Sequence, residues 1–332
     1  MDTNNYIKQY PELMKGKKIL YVHGFASSGQ SGTVKRLREV FPAAEVVAPD
    51  LPLNPLEALT LLQVTCKEIR PDLIIGTSMG GMFAEMLYGY DRICVNPAMH
   101  IGDTMVSHNM VGAQHFHNPR KDGVQDFLVT KALVKEYKEL TDHCYEGCNA
   151  EEKGRVTGLF GDEDDLVNTY EEFSAHYPVS IHFHGAHRMD DKSFMHSVLP
   201  VIRWIDDRQE NRERPIVYID ISAMIDRYSK PLSALMKALR MLIETYQVYF
   251  VAPAPTNNKS YISQIQEWCE QHINVPAYGR VIFTNQKNLL YGDYIVDADE
   301  TVDFMGTKIV FGSDAFKSWE EIIMFFKRLG GQ

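Results

Sequence analysis

The sequence has no long hydrophobic run, no excess of positive charge and few cysteines, and each absence excludes a class of protein. No stretch of the 332 residues approaches the roughly 20 apolar residues that a membrane-spanning helix needs. Asp and Glu number 44 against 34 Lys and Arg, a formal net charge of −10, which disfavours a general nucleic-acid-binding protein. We therefore expect neither a membrane nor a nucleic acid as partner.

The five cysteines are odd in number and scattered, a pattern that argues against a disulfide framework. They stand at positions 66, 94, 144, 148 and 269. Such spacing is typical of reduced thiols in a cytoplasm. Residues 1–5 also lack the basic and apolar regions of a signal peptide, so a cytoplasmic protein is expected.

Length and patterning predict two α/β domains. A chain of 332 residues, 45% of them apolar, is long enough for two hydrophobic cores. Residues 206–215 form a charged run that ends in Pro215, and short apolar strands alternate with helical patterns on both sides of it. This alternation predicts parallel sheets. We expect a first domain over residues 1–207, a linker over 208–215 and a second domain over 216–332.

The motif Gly76-Thr77-Ser78-Met79-Gly80 is a G-x-S-x-G sequence between a strand and a helix. Apolar residues 73–75 precede it, and residues 81–87 have a helical pattern. In this setting the motif predicts a nucleophile elbow, a sharp turn that lifts the Ser78 hydroxyl to the top of a sheet. Glycines flank the serine because side chains there would collide with the strand and the helix. The alternative is an ordinary turn with a capping serine.

A nucleophilic serine needs two amides that stabilise the developing oxyanion. The apolar strand 19–22 ends in His23-Gly24-Phe25, and an HG pair at the first strand end supplies one such amide in α/β-hydrolases. The residue after the nucleophile supplies the second. We therefore predict the amides of Phe25 and Met79 as the oxyanion hole, with His23 shaping the loop.

An acid and a base follow the serine in the order typical of α/β-hydrolases. The strand 155–160 runs into an acidic loop, and the strand 179–184 runs into a loop that contains His187. His187 is the predicted base, and Asp164 the predicted acid that orients it. Asp162 and Asp165 remain alternatives for the acid. His182 and His184 are interpreted as packed or exposed histidines.

Together these elements resemble the small YqiA-type bacterial serine esterases. Residues 21–28, 76–81 and 96–98 and the loops with Asp164 and His187 carry the resemblance, which covers about residues 17–206. It implies an α/β-hydrolase fold that acts on acyl esters through a triad of Ser78, Asp164 and His187. Residues 102–149 depart from that family and are expected to form a helical lid.

The predicted lid is rich in histidine and cysteine, which are ligands that suit zinc. Neither a C-x-x-C pair nor an H-E-x-x-H helix is present, so packing or substrate contact is preferred over a structural metal. The residues concerned are His108, His115, His117, His143, Cys144 and Cys148.

The second half resembles the 5′(3′)-deoxyribonucleotidases of the haloacid dehalogenase superfamily, across about residues 215–330. The resemblance implies a Rossmann-like domain with Asp220 as nucleophile, and Lys287 and Asp297 in the phosphate and Mg²⁺ site. Ser222, however, occupies the position of the general acid/base. Ala252 stands where a phosphate-binding serine is usual, and Ala298 replaces a carboxylate. The cap insertion of that family is also missing.

These motifs predict a two-part function that needs no cofactor. The first half is expected to hydrolyse a small acyl ester or thioester, and the second to be a pseudo-phosphatase with a regulatory or structural role. Mg²⁺ on Asp220 and Asp297 is a minor alternative. Two other readings stay open: a ligand-binding or scaffold protein with both sites decayed, and an active 5′-nucleotidase in the second half. A homo-oligomer is possible, and acidic loops near Asp162 and Asp190 disfavour polyanionic substrates.

Overall fold

The computed structural model describes residues 7–226 and 228–330. The chain divides into two compact units, Met1–Gln209 and Glu210–Gln332. The division falls inside the charged run 206–215, where few apolar side chains are available to join the two cores. Within the described ranges, no helix combines the length and apolar character needed to cross a bilayer.

Unit 1, Met1–Gln209, is built on a six-stranded parallel sheet in the order β2-β1-β3-β4-β7-β8. Fully buried apolar side chains such as Leu20, Ile74 and Cys94 fill its strands, as expected for a sheet covered on both faces. The strands of unit 1 are β1 Lys18–Val22, β2 Glu45–Val47, β3 Leu73–Thr77, β4 Arg92–Val95, β5 Gly112–His115, β6 Asp126–Val129, β7 Val156–Glu163 and β8 Ser180–Ala186.

The helices of unit 1 connect these strands, and α2 shows clear signals at both ends. In α2, Asn54 accepts hydrogen bonds from the Leu56 and Glu57 amides, Pro55 is the first helical residue, and Arg70 ends the helix in the left-handed conformation. A single turn of π-helix, Phe194–Val198, joins the last two helices. The helices are α1 Gly32–Val40, α2 Pro55–Ile69, α3 Met79–Glu85, α4 Ile101–Ser107, α5 Lys131–Thr141, α6 Ala150–Lys153, α7 Tyr170–His176, α8 Asp191–Ser193 and α9 Leu199–Gln209.

The segment 102–149 is not the wholly helical lid that the sequence predicts. Between α4 and α5 it forms an antiparallel hairpin of β5 and β6. The hairpin forms because side chains in Asp126–Val129 alternate between exposed and buried, which is the period of a strand. We call residues 108–130 the hairpin insert.

Unit 2, Glu210–Gln332, contains a five-stranded parallel sheet in the order β11-β10-β9-β12-β13. Counted within the unit this is 3-2-1-4-5, an order found in doubly wound nucleotide-binding folds. Its core includes Trp319, Phe250 and Phe326, all essentially buried. The elements are β9 Ile216–Asp220, α10 Leu235–Thr245, β10 Gln247–Ala252, α11 Tyr261–His272, β11 Val281–Phe283, β12 Tyr294–Asp297, β13 Thr307–Val310 and α12 Trp319–Arg328.

Candidate active site

Ser78 lies between β3 and α3 with φ 56° and ψ −123°, a conformation that a residue with a Cβ rarely adopts. Its neighbours explain how the turn is enforced. A Cβ on Gly76 would lie 2.1 Å from the Gly80 carbonyl oxygen, and a Cβ on Gly80 would lie 2.0 Å from the Val22 carbonyl oxygen. Only glycine fits at either position, so the turn has the tight packing expected of a nucleophile elbow.

A continuous chain of hydrogen bonds joins the three predicted triad residues. Nε2 of His187 lies 3.0 Å from Oγ of Ser78, and Nδ1 of His187 lies 2.8 Å from Oδ2 of Asp164. The side chain of Asp164 is 4% exposed and that of His187 is 14% exposed. The structure thus brings together a hydroxyl, an imidazole and a carboxylate in the order that nucleophilic catalysis needs.

The environment of Asp164 keeps its carboxyl ionised. Burial alone would raise the pKa of Asp164, but hydrogen bonds from His187, Val167 and Leu166 outweigh it and lower the pKa below the ordinary value. The alternative acids lie elsewhere. Asp162 pairs with His184, with 2.5 Å between Oδ2 and Nδ1, and Asp165 is exposed.

Asn96 holds the acid and base loops in register, a role that sequence reasoning did not assign. It is 1% exposed, and its Oδ1 accepts from the Gly161 amide at 2.7 Å. Its Nδ2 donates to the carbonyls of His187 at 3.1 Å and Ala186 at 3.3 Å. The available signal was its place directly after an apolar strand, within the residues 96–98 that carry the family resemblance.

The predicted oxyanion amides are available. Within the described part of the chain, the amides of Phe25 and Met79 donate to no other protein group. His23 shapes the loop beside them. It is 2% exposed, its Nδ1 bonds to the Gly24 carbonyl at 2.8 Å, and its Nε2 accepts from the Leu51 amide at 3.1 Å. Burial lowers the pKa of His23, so the ring is neutral and structural.

A cavity of 510 Å³ opens beside Ser78 and His187. The hairpin insert helps to line it through Met110, Gln114, His117 and Asn118. The insert is tied to the loop after β1, because the His117 amide donates to the Ala26 carbonyl at 2.8 Å. The Phe25 and Phe127 rings also meet edge to face at 5.5 Å. The insert therefore forms one wall of the cavity.

The histidines and cysteines of segment 102–149 do not converge on a metal. His115 pairs with Asp126, His143 pairs with Glu146 at 2.8 Å, and Cys148 donates to the His176 carbonyl. Across residues 7–226 and 228–330, no three side chains of His, Cys, Asp or Glu lie together as metal ligands. Of the six candidates, His117 lines the cavity.

In unit 2 the predicted phosphatase residues do come together, around a lysine. Lys287 Nζ lies 2.6 Å from Oδ2 of both Asp220 and Asp297. Oγ of Ser222 donates to Oδ1 of Asp220 at 2.6 Å. Burial alone would lower the pKa of Lys287, but its hydrogen bonds with the two aspartates raise it, so the ammonium stays charged.

This arrangement does not fit a magnesium ion. Mg²⁺ takes about six oxygen ligands in a near-octahedral shell. Here both Oδ2 atoms face the Lys287 ammonium, and the Oδ1 atoms accept from Ser222 and from the Asp299 amide. Ala298 supplies no further carboxylate. The Lys287 ammonium is the positive charge that balances Asp220 and Asp297.

A protein-family model matches unit 1. The family model described as "Uncharacterised protein family (UPF0227)" matches residues 18–196, more than half of the 332 residues. The chain belongs to UPF0227. The matched region includes Ser78, Asp164 and His187, so the whole hydrogen-bonded chain lies in the part that defines the UPF0227 family.

Other proteins are similar to parts of this UPF0227 chain. A protein of Vibrio phage KVP40 named "Putative 5'(3')-deoxyribonucleotidase" is 27% identical over 150 residues, covering 36% of this chain and 88% of the phage protein. Both resemblances inferred from the sequence motifs are thereby confirmed.

Among solved structures, Est1E from Butyrivibrio proteoclasticus is 14% identical and covers 61% of this UPF0227 chain and 90% of its own, with a TM-score of 0.39. A thioesterase domain from the curacin biosynthetic pathway is 15% identical, with coverages of 60% and 92% and a TM-score of 0.36. At such identities, the function of the UPF0227 chain has to be argued from its own residues.

Proposed function

We propose that unit 1 is a serine hydrolase that cleaves acyl esters or thioesters through an acyl-enzyme on Ser78. The observation that carries this proposal is the continuous Ser78–His187–Asp164 hydrogen-bond chain at the edge of a 510 Å³ cavity. An ordinary capping serine explains neither the hydrogen bond of Ser78 to Nε2 of His187 nor the strained φ of 56°. The side chain of Ser78 makes no capping hydrogen bond to α3.

Acylation uses each group in turn. Oγ of Ser78 attacks the carbonyl carbon while Nε2 of His187 takes the hydroxyl proton, and the carbonyl electron pair moves onto oxygen. The amides of Phe25 and Met79 stabilise that oxyanion. When the intermediate collapses, the bond to the alcohol or thiol breaks and His187 returns the proton to the leaving group. Asp164 keeps the imidazole in the required tautomer and stabilises its charged form.

Deacylation repeats these steps with water as the nucleophile. His187 takes a proton from water as its oxygen bonds to the acyl carbon. The Ser78 ester bond then breaks, and the proton passes from His187 to the serine oxygen. The carboxylic acid leaves, and the free hydroxyl is restored. The chemistry needs neither a metal nor an organic cofactor.

The decisive experiment is labelling with a fluorophosphonate probe followed by peptide mass spectrometry. A probe adduct confined to the peptide that contains Ser78, with hydrolysis of a chain-length series of p-nitrophenyl esters, is the expected result. Heat-unfolded protein is the control, because labelling of the assembled site disappears on unfolding. Folded protein without an adduct on Ser78 contradicts the proposal and favours a ligand-binding protein.

Exchange of single carboxylates tests the role of Asp164. We expect Asp164→Asn to lower kcat for a p-nitrophenyl ester by about 10⁴-fold, because an amide no longer fixes the tautomer of His187. Asp162→Asn is the matched control, since Asp162 pairs with His184, and it should change kcat by less than about fivefold. Steady-state kinetics of the two variants measure the difference. If both variants lost kcat equally, Asp164 would not be the acid that orients His187.

We further propose that unit 2 is a pseudo-phosphatase, which rests on the contacts around Asp220. A serine hydroxyl at position 222 cannot supply the proton that a carboxylic acid would give to a leaving group. Ala252 ends β10 without a hydroxyl for a phosphate, and Lys287 neutralises both aspartates. The similarity to the phage protein supports descent from a nucleotidase. Without phosphatase activity, unit 2 would have a regulatory or structural role.

Phosphate release from deoxynucleoside monophosphates with Mg²⁺ tests this assignment. We expect turnover no faster than the background without protein, and the same value for Asp220→Asn, because the proton donor and the metal ligands are incomplete. Turnover that Asp220→Asn abolishes would establish an active nucleotidase instead. Ser78→Ala serves as the control, since a change in unit 1 leaves phosphatase chemistry untouched.

A further inference from the structure

Three segments of unit 1 meet at the carboxyl end of β1. The loop after β1, residues 23–29, carries one of the two predicted oxyanion amides. The loop after β2, residues 48–51, packs against it so closely that a Cβ on Gly29 would lie 2.1 Å from the Ala48 carbonyl oxygen. Residues 117–121 of the hairpin insert are the third segment. The contacts among these segments set where the oxyanion amide lies.

The loop after β1 contains a strained residue and is held from outside. Ala26 has φ 55°, a left-handed conformation that a residue with a Cβ keeps only where its surroundings enforce it. The Ala26 carbonyl accepts from the His117 amide at 2.8 Å. The Ser28 side chain, which is fully buried, donates through Oγ to the Pro119 carbonyl at 2.7 Å. The hairpin insert therefore supports the loop that carries the oxyanion amide.

Asp50, in the loop after β2, joins the other two segments through one carboxylate. Its Oδ1 accepts from the Gly29 amide at 2.7 Å, and its Oδ2 accepts from the Lys121 amide at 2.7 Å. Hydrogen bonds to a charged oxygen are about twice as strong as those between neutral groups. The next residue adds a contact with the start of the loop, because the Leu51 amide donates to Nε2 of His23 at 3.1 Å.

From these contacts we propose that Asp50 is a positioning residue, which fixes the loop after β1 so that the Phe25 amide reaches the oxyanion. The loop passes directly beside the nucleophile, since a Cβ on Gly24 would lie 3.3 Å from Cβ of Ser78. Asp50 is not among the residues that line the cavity, so it acts through Phe25 and not on the substrate. The inference rests on the proposed serine hydrolase and adds a residue outside its triad.

Loss of the carboxylate should lower kcat and leave KM almost unchanged, because a fixed donor matters most when charge develops on the carbonyl oxygen. We expect Asp50→Asn to lower kcat for a p-nitrophenyl ester by about tenfold to a hundredfold, less than the loss of an entire oxyanion donor. An asparagine has the shape of Asp50 but only one oxygen for two donors.

Asp72→Asn is the matched control for the loss of a carboxylate that binds a backbone amide. Oδ2 of Asp72 accepts from the Lys18 amide at 2.7 Å, at the opposite end of β1. This variant loses a bond of the same kind on the same strand, far from Ser78. Its kcat and KM should equal those of the wild type.

A second pair of variants reaches the same contact from the hairpin insert. Lys121 is the second residue of a β-turn, in which the Gly123 amide donates to the Arg120 carbonyl at 3.2 Å, and its φ is negative. Because proline is favoured at this position, Lys121→Pro should fold while removing the amide that binds Asp50. We expect the same selective fall in kcat. Lys121→Ala loses the same side chain but keeps the amide, and should match the wild type.

Two ketones distinguish positioning from a general loss of structure. A trifluoromethyl ketone with the acyl chain of the best ester adds Oγ of Ser78 to its carbonyl carbon. The hydroxyl proton passes to His187, and the electron pair stays on the oxygen in the oxyanion hole. The corresponding methyl ketone binds without this charge. In Asp50→Asn and Lys121→Pro, Ki for the fluorinated ketone should rise by the factor by which kcat falls, and Ki for the methyl ketone should not change.

The outcomes separate this inference from the proposed function. Folded Asp50→Asn and Lys121→Pro with the kcat of the wild type overturn the inference and leave the hydrolase standing, even if both variants unfold at a lower temperature. A rise in KM and in Ki for both ketones at unchanged kcat also overturns it, since the insert would then act only as a wall of the cavity. A wild type without labelling and without any ester turnover overturns both.

Discussion

Replacement of Ser78 by alanine is expected to abolish fluorophosphonate labelling and to lower kcat for p-nitrophenyl esters by about 10⁶-fold, as loss of the nucleophile does in serine proteases. The reason is local. The Ser78 hydroxyl bonds to Nε2 of His187 at 3.0 Å, and nothing else on the turn can form an acyl-enzyme. Circular dichroism and thermal unfolding should match the wild type, because alanine has the same backbone restrictions and the hydroxyl caps no helix.

Ser107→Ala is the control for the loss of a serine hydroxyl. Ser107 is exposed at the end of α4, and its hydroxyl donates to the Thr104 carbonyl at 3.3 Å. Kinetics and labelling of this variant should equal those of the wild type. If folded Ser78→Ala retained more than a few per cent of the esterase activity, catalysis would have to come from another group, and the proposed mechanism would be wrong.

The second large effect is expected from Gly80→Ala. An alanine Cβ at this position would lie 2.0 Å from the Val22 carbonyl oxygen and 2.7 Å from that of His23. Both atoms belong to backbone at the end of β1, which cannot turn aside as a flexible side chain would. We expect a loss of about 4 kcal/mol or more in the free energy of unfolding and a fall in Tm of about 10 °C. Any folded fraction should be inactive. To accommodate the Cβ, α3 would have to shift, and the Met79 amide of the predicted oxyanion hole would shift with it.

Gly154→Ala is the matched control for a glycine substitution. Gly154 has φ −80°, and the nearest atom to its Cβ would be the Glu151 carbonyl oxygen at 3.4 Å, an ordinary contact. Thermal unfolding should leave its Tm within about 2 °C of the wild type. If Gly80→Ala unfolded at the same temperature as Gly154→Ala and kept its activity, β1 and α3 could not approach as closely as described.

Local patterns were enough to predict the parallel sheets and three side chains that meet beside the sheet of unit 1. Short apolar runs that end in small or polar residues predicted the strands of both parallel sheets. The order of Ser78, Asp164 and His187 followed from the loops after β3, β7 and β8, because parallel strands bring their carboxyl ends to one edge of the sheet. The structure places these three side chains in hydrogen-bond contact.

Features that depend on tertiary packing could not be predicted. The hairpin of β5 and β6 was missed because each strand has only four residues, too few for alternation to stand out. The role of Asn96 was missed because a lone asparagine after a strand does not show that its side chain contacts two other loops. The sequence favoured Asp164 but left Asp162 and Asp165 open, and the contact of Asp164 with His187 and that of Asp162 with His184 separate them.

The left-handed backbone at Ser78 also bears on how this chain can evolve. A non-glycine residue held in such a conformation costs a fold about 1–3 kcal/mol, and glycine at the same place removes the penalty. At position 78, the change that relieves this strain is therefore one that deletes the proposed nucleophile. Selection for thermal robustness alone drives position 78 toward glycine, so only a continuing demand for the hydroxyl opposes that drift.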